Sequence, residues 1–164
     1  NFAREKNIPY LGICFGFQLA AVSFARNVCN HTDANSTEIE SETNNPIIDL
    51  LPEQDGVTDM GGSLRLGANE IDVKPDTIAN RIYGQTKISK RHRHRYEFNT
   101  KYLDEFAQKG MIFSGESDNG RRMEILEIPD HKFFVGVQFH PEFNSRPGYP
   151  ENVFKAFTTA ANQN

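Results

Sequence analysis

Residues 11–18 read LGICFGFQ, and the fold turns on how this stretch is taken. Ile8 to Ile13 is a short apolar run ending beside a glycine, which suits a buried parallel strand. Phe17, Leu19, Ala20, Ala21, Phe24, Ala25 and Val28 follow at mostly helical spacings and make the apolar face of a helix that starts at once. Gly12, Cys14 and Gly16 therefore form G-x-C-x-G at a strand-to-helix junction, the pattern of a nucleophile elbow. A strained turn exposes the central side chain, and the flanking glycines let strand and helix approach without a clash. A thiol at a helix N-terminus feels the positive end of the dipole and loses its proton more easily. The Phe15 backbone N–H then points toward a developing oxyanion. The competing reading is a cysteine that merely packs, since free cysteine is among the most buried residue types.

A second constellation, Val137-Gln138-Phe139-His140-Pro141-Glu142, ends another apolar strand. In an extended segment residues i and i+2 share a face, so His140 and Glu142 project together. Cysteine chemistry needs such a pair: a base that takes and returns a proton, and a carboxylate that orients the imidazole and stabilises its cation. Pro141 stiffens the segment and withholds an N–H. Alone, His140 and Glu142 read as surface residues; beside the elbow they read as its partners.

The chain has 164 residues, the length of one ordinary domain, with 37% hydrophobic and 24% charged residues, 13 Phe and no Trp. That composition fits a soluble globular domain with its own core. No apolar run approaches the roughly 20 residues that span a bilayer. A net charge of −4 argues against a general nucleic-acid binder. The start, NFAREKNIPY, has neither the apolar core of a signal peptide nor an initiator Met, so the chain is read as a piece of a larger cytoplasmic protein. Two cysteines, Cys14 and Cys29, are too few for a disulfide framework, and a helix between them would hold them about 20 Å apart. The sequons at Asn30 and Asn35 are read as chance triplets.

Residues 30–62 are polar, with one apolar patch at Ile47 to Leu51, and read mainly as loop. Strands are expected at Ser63 to Leu66, Arg95 to Phe98, Met111 to Ser114, Met123 to Ile128 and Phe133 to Phe139. Helices are expected at Lys101 to Gln108 and Glu151 to Ala161. The alternation of element types says α/β.

GICFGFQ with FHPE far downstream resembles the class I, triad-type glutamine amidotransferases. ANSTE at 34–38, MGGSLRLG at 60–67, RHRHRYEFN at 91–99 and VGVQFHPEFNSRP at 135–147 narrow the resemblance to the glutaminase domains of CTP synthases. The resemblance implies a flavodoxin-like α/β fold with a parallel-rich sheet flanked by helices. It makes residues 1–164 the C-terminal portion of one glutaminase domain, with a glycine-rich oxyanion loop expected before Asn1. It matches Cys14, His140 and Glu142 to the catalytic triad. Gln18 and Glu38 match glutamine-binding positions, Arg95 the position that holds the substrate's α-carboxylate end, and Phe15 a main-chain donor. Phe15 and Phe17 stand where the family more often shows Leu and Met. The implied substrate is L-glutamine, and the implied partner a synthetase domain of the same polypeptide, homo-oligomeric at full length. The glutaminase half takes no metal or organic cofactor, while ATP, Mg²⁺ and the activator GTP serve the full-length ligase.

RHRHR at 91–95 is five basic or titratable residues in a row and reads first as a solvated face. Nucleic-acid binding and a His92–His94 metal site are the weaker readings, because no aromatic residue is interleaved and no carboxylate or cysteine accompanies the histidines. Arg95 is better spent on a carboxylate, which a guanidinium grips with two parallel hydrogen bonds. Two rival functions stand beside the glutaminase. A γ-glutamyl hydrolase can share an elbow cysteine and a histidine, but Gln18, Glu38 and RHRHRYE favour the amidotransferase. A regulatory module that has lost activity is the non-enzymatic rival, and the intact triad speaks against it.

Overall fold

A computed structural model describes residues 1–50 and 65–163 of the chain. A short helix α1 (Phe2–Glu5) leads into strand β1 (Tyr10–Ile13) and helix α2 (Phe15–Asn27). Two short strands follow, β2 (Asn35–Ser36) and β3 (Pro46–Asp49), so the region read as loop contains paired backbone. Next come β4 (Arg65–Val73), α3 (Ile78–Tyr83), β5 (Lys87–His94) and β6 (Glu97–Phe98). The chain continues through α4 (Leu103–Gln108), β7 (Ile112–Ser117), β8 (Arg122–Glu127), β9 (Phe134–Val137) and α5 (Asn152–Asn162). Half of the strand expected at Ser63 to Leu66, most of MGGSLRLG, and Leu51 of the apolar patch lie outside the described residues.

Among the described residues six strands form one sheet in the order β1-β9-β8-β7-β4-β5. The α/β class holds, but the parallel-rich sheet does not. Of the pairings in this sheet, β1–β9 is parallel and the others are antiparallel. The physical reason is connection length: β7 and β8 are joined by a tight turn in which Asp118, Asn119 and Gly120 all take positive φ, and a turn that short reverses the chain.

β5 is the largest departure from the sequence reading. KISKRHRH is not a solvated run. Ile88, Lys90, His92 and His94 alternate inward while Lys87, Ser89, Arg91 and Arg93 face solvent. Pairing with β4 along eight registered residues holds this charged stretch in the sheet. Lys90 reaches the sheet interior because its ammonium meets Glu151, which also caps α5 by accepting from the Val153 N–H at 2.7 Å.

The core lies on both faces of the sheet. On one, Phe17, Ala21, Phe24 and Ala25 of α2 pack with Phe98, Phe106 and Phe113. On the other, Ile71, Ile125, Val135, Val137 and Phe139 pack under α3 and α5. Leu19, assigned to the apolar face of α2, is instead exposed, and Val22 takes a core place. α2 is buried around much of its circumference, so the apolar stripe in its sequence marks the buried side only loosely.

Candidate active site

Cys14 joins β1 to α2 with φ 51° and ψ −102°, a conformation few non-glycine residues adopt. Two main-chain bonds hold the strained turn: the Cys14 N–H donates to the Val137 carbonyl at 2.8 Å, and the Gln18 N–H donates to the Cys14 carbonyl at 3.2 Å. The two glycines of the elbow are not equivalent. A Cβ on Gly12 would lie 2.7 Å from the Gly16 carbonyl group, whereas one on Gly16 would meet only the Tyr10 hydroxyl, at 3.8 Å. Gly12 permits the close approach of strand and helix. Tyr10 then clamps the junction, its hydroxyl donating to the Gly16 carbonyl at 2.8 Å.

β9 delivers the second group to the same end of the sheet. Ile13 and Val137 are paired in parallel register, so Cys14 and His140 both leave the sheet beyond that pair. His140 is extended, and a 3-10 turn over Pro141–Asn144 follows it. His140 and Glu142 therefore meet through that turn rather than along a strand. His140 Nδ1 lies 2.6 Å from Glu142 Oε1. The His140 N–H donates to the Arg91 carbonyl at 2.9 Å, which ties the segment to β5.

Cys14, Phe15, Gln18, Glu38 and Arg95 line one cleft of about 520 Å³. Ile39, Arg93, His94 and Tyr96 complete it; the sequence reading gave none of them a place at this cleft, and weighed His94 only as half of a metal pair. The outward alternation of β5 puts Arg93 at the mouth, and period-2 reading of RHRHR would have found it. Phe15 and Ile39 are exposed apolar side chains at this site, and Glu38 is exposed too. Gln18, by contrast, is buried, its Nε2 donating to the Tyr96 carbonyl at 3.0 Å and to Gln138 Oε1 at 3.3 Å.

The Cys14 thiol does not lose its proton more easily than a free one. Burial pushes the thiol up from its ordinary value, and the Glu142 and Glu38 carboxylates push it further, against hydrogen bonds from the Phe15 N–H and the Gln138 amide. Desolvation and two like-signed neighbours outweigh one helix turn. A reactive Cys14 would thus need a base, and the His140 imidazole follows the strand paired with its own. Cys29 is buried, and its thiol is pushed up to about 11, chiefly by burial. Both cysteines are free.

Behind the cleft lies a buried polar cluster that sequence reasoning missed. Arg65 Nη1 contacts Glu124 at 2.5 Å and Arg122 Nη1 contacts Glu97 at 2.8 Å. Ser117 donates to Glu124. His92 and His94 lie against both carboxylates, with His92 Nδ1 2.9 Å from His94 Nε2. Burial holds both histidines neutral, His92 down at about 2 and His94 at about 3, and pushes Glu97 up to about 7. Among the described residues no group of three or more His, Cys, Asp or Glu is placed to hold a metal ion.

The elbow, the His–Glu pair and the cleft define a class of protein that the comparisons also reach. The model of the class-I glutamine amidotransferases matches residues 1–160, and the chain belongs to that family. The chain is 56% identical to the CTP synthase of Archaeoglobus fulgidus over 98% of its own length and 52% identical to that of Thermococcus kodakarensis, also over 98%. It spans 30% of the length of each of these relatives. The glutaminase domain of Trypanosoma brucei CTPS, solved with bound acivicin, superposes with a TM-score of 0.91 at 36% identity, covering 97% of this chain and 62% of that one. Within its family the chain is a glutaminase domain of the CTP synthase type.

Proposed function

We propose that this domain hydrolyses L-glutamine through Cys14, His140 and Glu142, and that the ammonia serves amination of UTP to CTP in a synthetase domain of the same polypeptide. The observation that carries the reading is the shared sheet edge. Parallel register between β1 and β9 presents a strained, partly exposed thiol and a carboxylate-paired imidazole at one end of the sheet, beside a cleft lined by Gln18, Glu38 and Arg95.

In this reading His140 takes the thiol proton as Cys14 Sγ attacks the side-chain carboxamide, and Glu142 stabilises the imidazolium. The Phe15 N–H, which faces the sulfur in the resting site, turns to the tetrahedral oxyanion. Collapse breaks the C–N bond, and His140 returns the proton to departing ammonia. His140 next takes a proton from water, whose oxygen attacks the γ-glutamyl thioester. Glutamate leaves and Cys14 recovers its proton. Glu38 and Arg95 carry the charges that complement glutamine's ammonium and carboxylate. The glutaminase step draws on no metal or organic cofactor; ATP and Mg²⁺ serve the synthetase domain, with GTP as activator. The same reading places the intact protein in the cytoplasm as a homo-oligomer.

The test is Cys14→Ala in the intact protein. Glutamine-dependent CTP formation is abolished, and ammonium salt at matched pH restores it. Glutamine-supported CTP formation in the variant would remove Cys14 as nucleophile. Failure of ammonia in a folded variant would remove the synthetase assignment. Faster glutamate release from γ-glutamyl peptides than from glutamine would favour the hydrolase instead.

A further inference from the structure

Gln138 carries no role in the reaction as described above, yet its side chain is wholly buried and aimed at the nucleophile. Its Nε2 lies 3.9 Å from Cys14 Sγ, within reach of a sulfur acceptor. An amide can face a neighbour with either end, so what matters is which end the surroundings allow. The Tyr96 carbonyl can only accept. It receives His94 Nδ1 at 3.2 Å and Gln18 Nε2 at 3.0 Å. Both must therefore donate. The remaining hydrogen on Gln18 Nε2 faces Gln138 at 3.3 Å, so Gln138 presents its oxygen there and its NH₂ to the sulfur.

The chain of directions extends one step further back. With Nδ1 committed as donor, neutral His94 offers Nε2 as acceptor, and His92 Nδ1 donates to it at 2.9 Å. Burial keeps both rings neutral, so the pattern does not invert near neutral pH.

We propose that Gln138 is a positioning residue for the nucleophile, its amide N–H donating to Cys14 Sγ in a direction fixed through Gln18 by the Tyr96 carbonyl. The assignment rests on Cys14 acting as nucleophile and deepens that reading. Hydrogen bonding to the charged form favours it, so the amide stabilises the thiolate as His140 withdraws the proton. It works against the two carboxylates that face the sulfur, Glu142 beyond β9 and Glu38 beyond β2, and alongside Arg93 and Arg95 at the cleft.

The experiment is Gln138→Met, which keeps the length of the side chain and removes both its donor and its acceptor, in the intact protein. Alkylation by iodoacetamide is followed against pH by mass spectrometry of the Cys14 peptide, with the Cys29 peptide as internal control and thermal unfolding as the fold check. The midpoint for Cys14 is expected to rise by about one pH unit, so labelling below it slows about tenfold. With glutamine, kcat falls while KM stays within about twofold. Gln138→Glu keeps an oxygen for Gln18 but offers no amide donor, and is expected to shift the midpoint upward as well; it decides the matter if the Met variant does not fold. An unmoved midpoint in a folded variant overturns the proposal. A Cys14→Ala variant that still hydrolyses glutamine would instead overturn the nucleophile assignment, whatever Gln138 does.

Discussion

The Cys14 backbone N–H donates to the Val137 carbonyl at 2.8 Å, and this bond couples the strand that ends at Cys14 to the strand that leads to His140. Beyond it the chains diverge into α2 and into the 3-10 turn of Glu142. Sheet register thus fixes where the two segments leave the sheet side by side. A slip of one residue would turn each strand's side chains to the other face.

Selective labelling follows from the different settings of the two cysteines. An electrophilic glutamine analogue is expected to modify Cys14 and spare Cys29, whose thiol is buried and pushed up to about 11. Peptide mass mapping checks this, and modification at Cys29 alone would contradict the elbow.

The elbow glycines give opposite predictions. Gly12→Ala forces a methyl to 2.7 Å from the Gly16 backbone and is expected to cost roughly 1–3 kcal/mol of stability, with loss of glutaminase activity. Gly16→Ala has room in a helical position and is expected to change stability by less than about 1 kcal/mol. Denaturant unfolding of both variants measures the contrast, and equal losses would show that the junction does not depend on Gly12.

Glu38 and Arg95 line the cleft with Gln18. Replacing either with Ala is expected to raise KM for glutamine about tenfold or more, the scale of a lost charged contact of about 1.5–3 kcal/mol. kcat is expected to fall less. Steady-state kinetics decides it, and an unchanged KM in both variants would move the binding site elsewhere.

Acid stability should follow the buried histidines. Their folded values lie near 2 and 3, well below the unfolded value of about 6.5. As pH falls below about 6.5 the unfolded chain binds protons that the folded chain refuses, and stability is lost down to the folded values. Glu97 runs the other way, because its folded value near 7 lies above its unfolded one, so falling pH adds stability down to about 4.5. The histidine-driven loss is thus partly offset above about pH 4.5 and unopposed by Glu97 below it. His92→Gln is expected to flatten the slope by up to about 1.4 kcal/mol per pH unit. An identical slope in the variant, measured by denaturant unfolding at several pH values, would contradict the buried neutral histidine.

How much of this was legible in the sequence depends on the range of the interactions. Gly12, Cys14 and Gly16 announced the elbow because a tight turn is decided by adjacent residues, and His140-Pro141-Glu142 kept its pairing because two positions along any turn or strand stay close. β5 was misread for the complementary reason. His92 and His94 look like part of a solvated run until β4 pairs alongside and Glu97, Glu124, Arg65 and Arg122 close over them. No local pattern says that charges from strands 25 to 60 residues apart will meet.

The sequence by itself determined the α/β class, the elbow and the His140–Glu142 pair, carried by short spacings with a fixed stereochemical meaning, whereas Gln18, Glu38 and Arg95 were reached only through the family resemblance. Only the tertiary structure decided that the sheet is mostly antiparallel, that burial and two carboxylates push the Cys14 thiol up from its ordinary value, and that the Gln138 amide lies 3.9 Å from the sulfur. Those outcomes depend on burial and on hydrogen-bond direction, which exist only once β1, β5 and β9 converge and exclude water from between them.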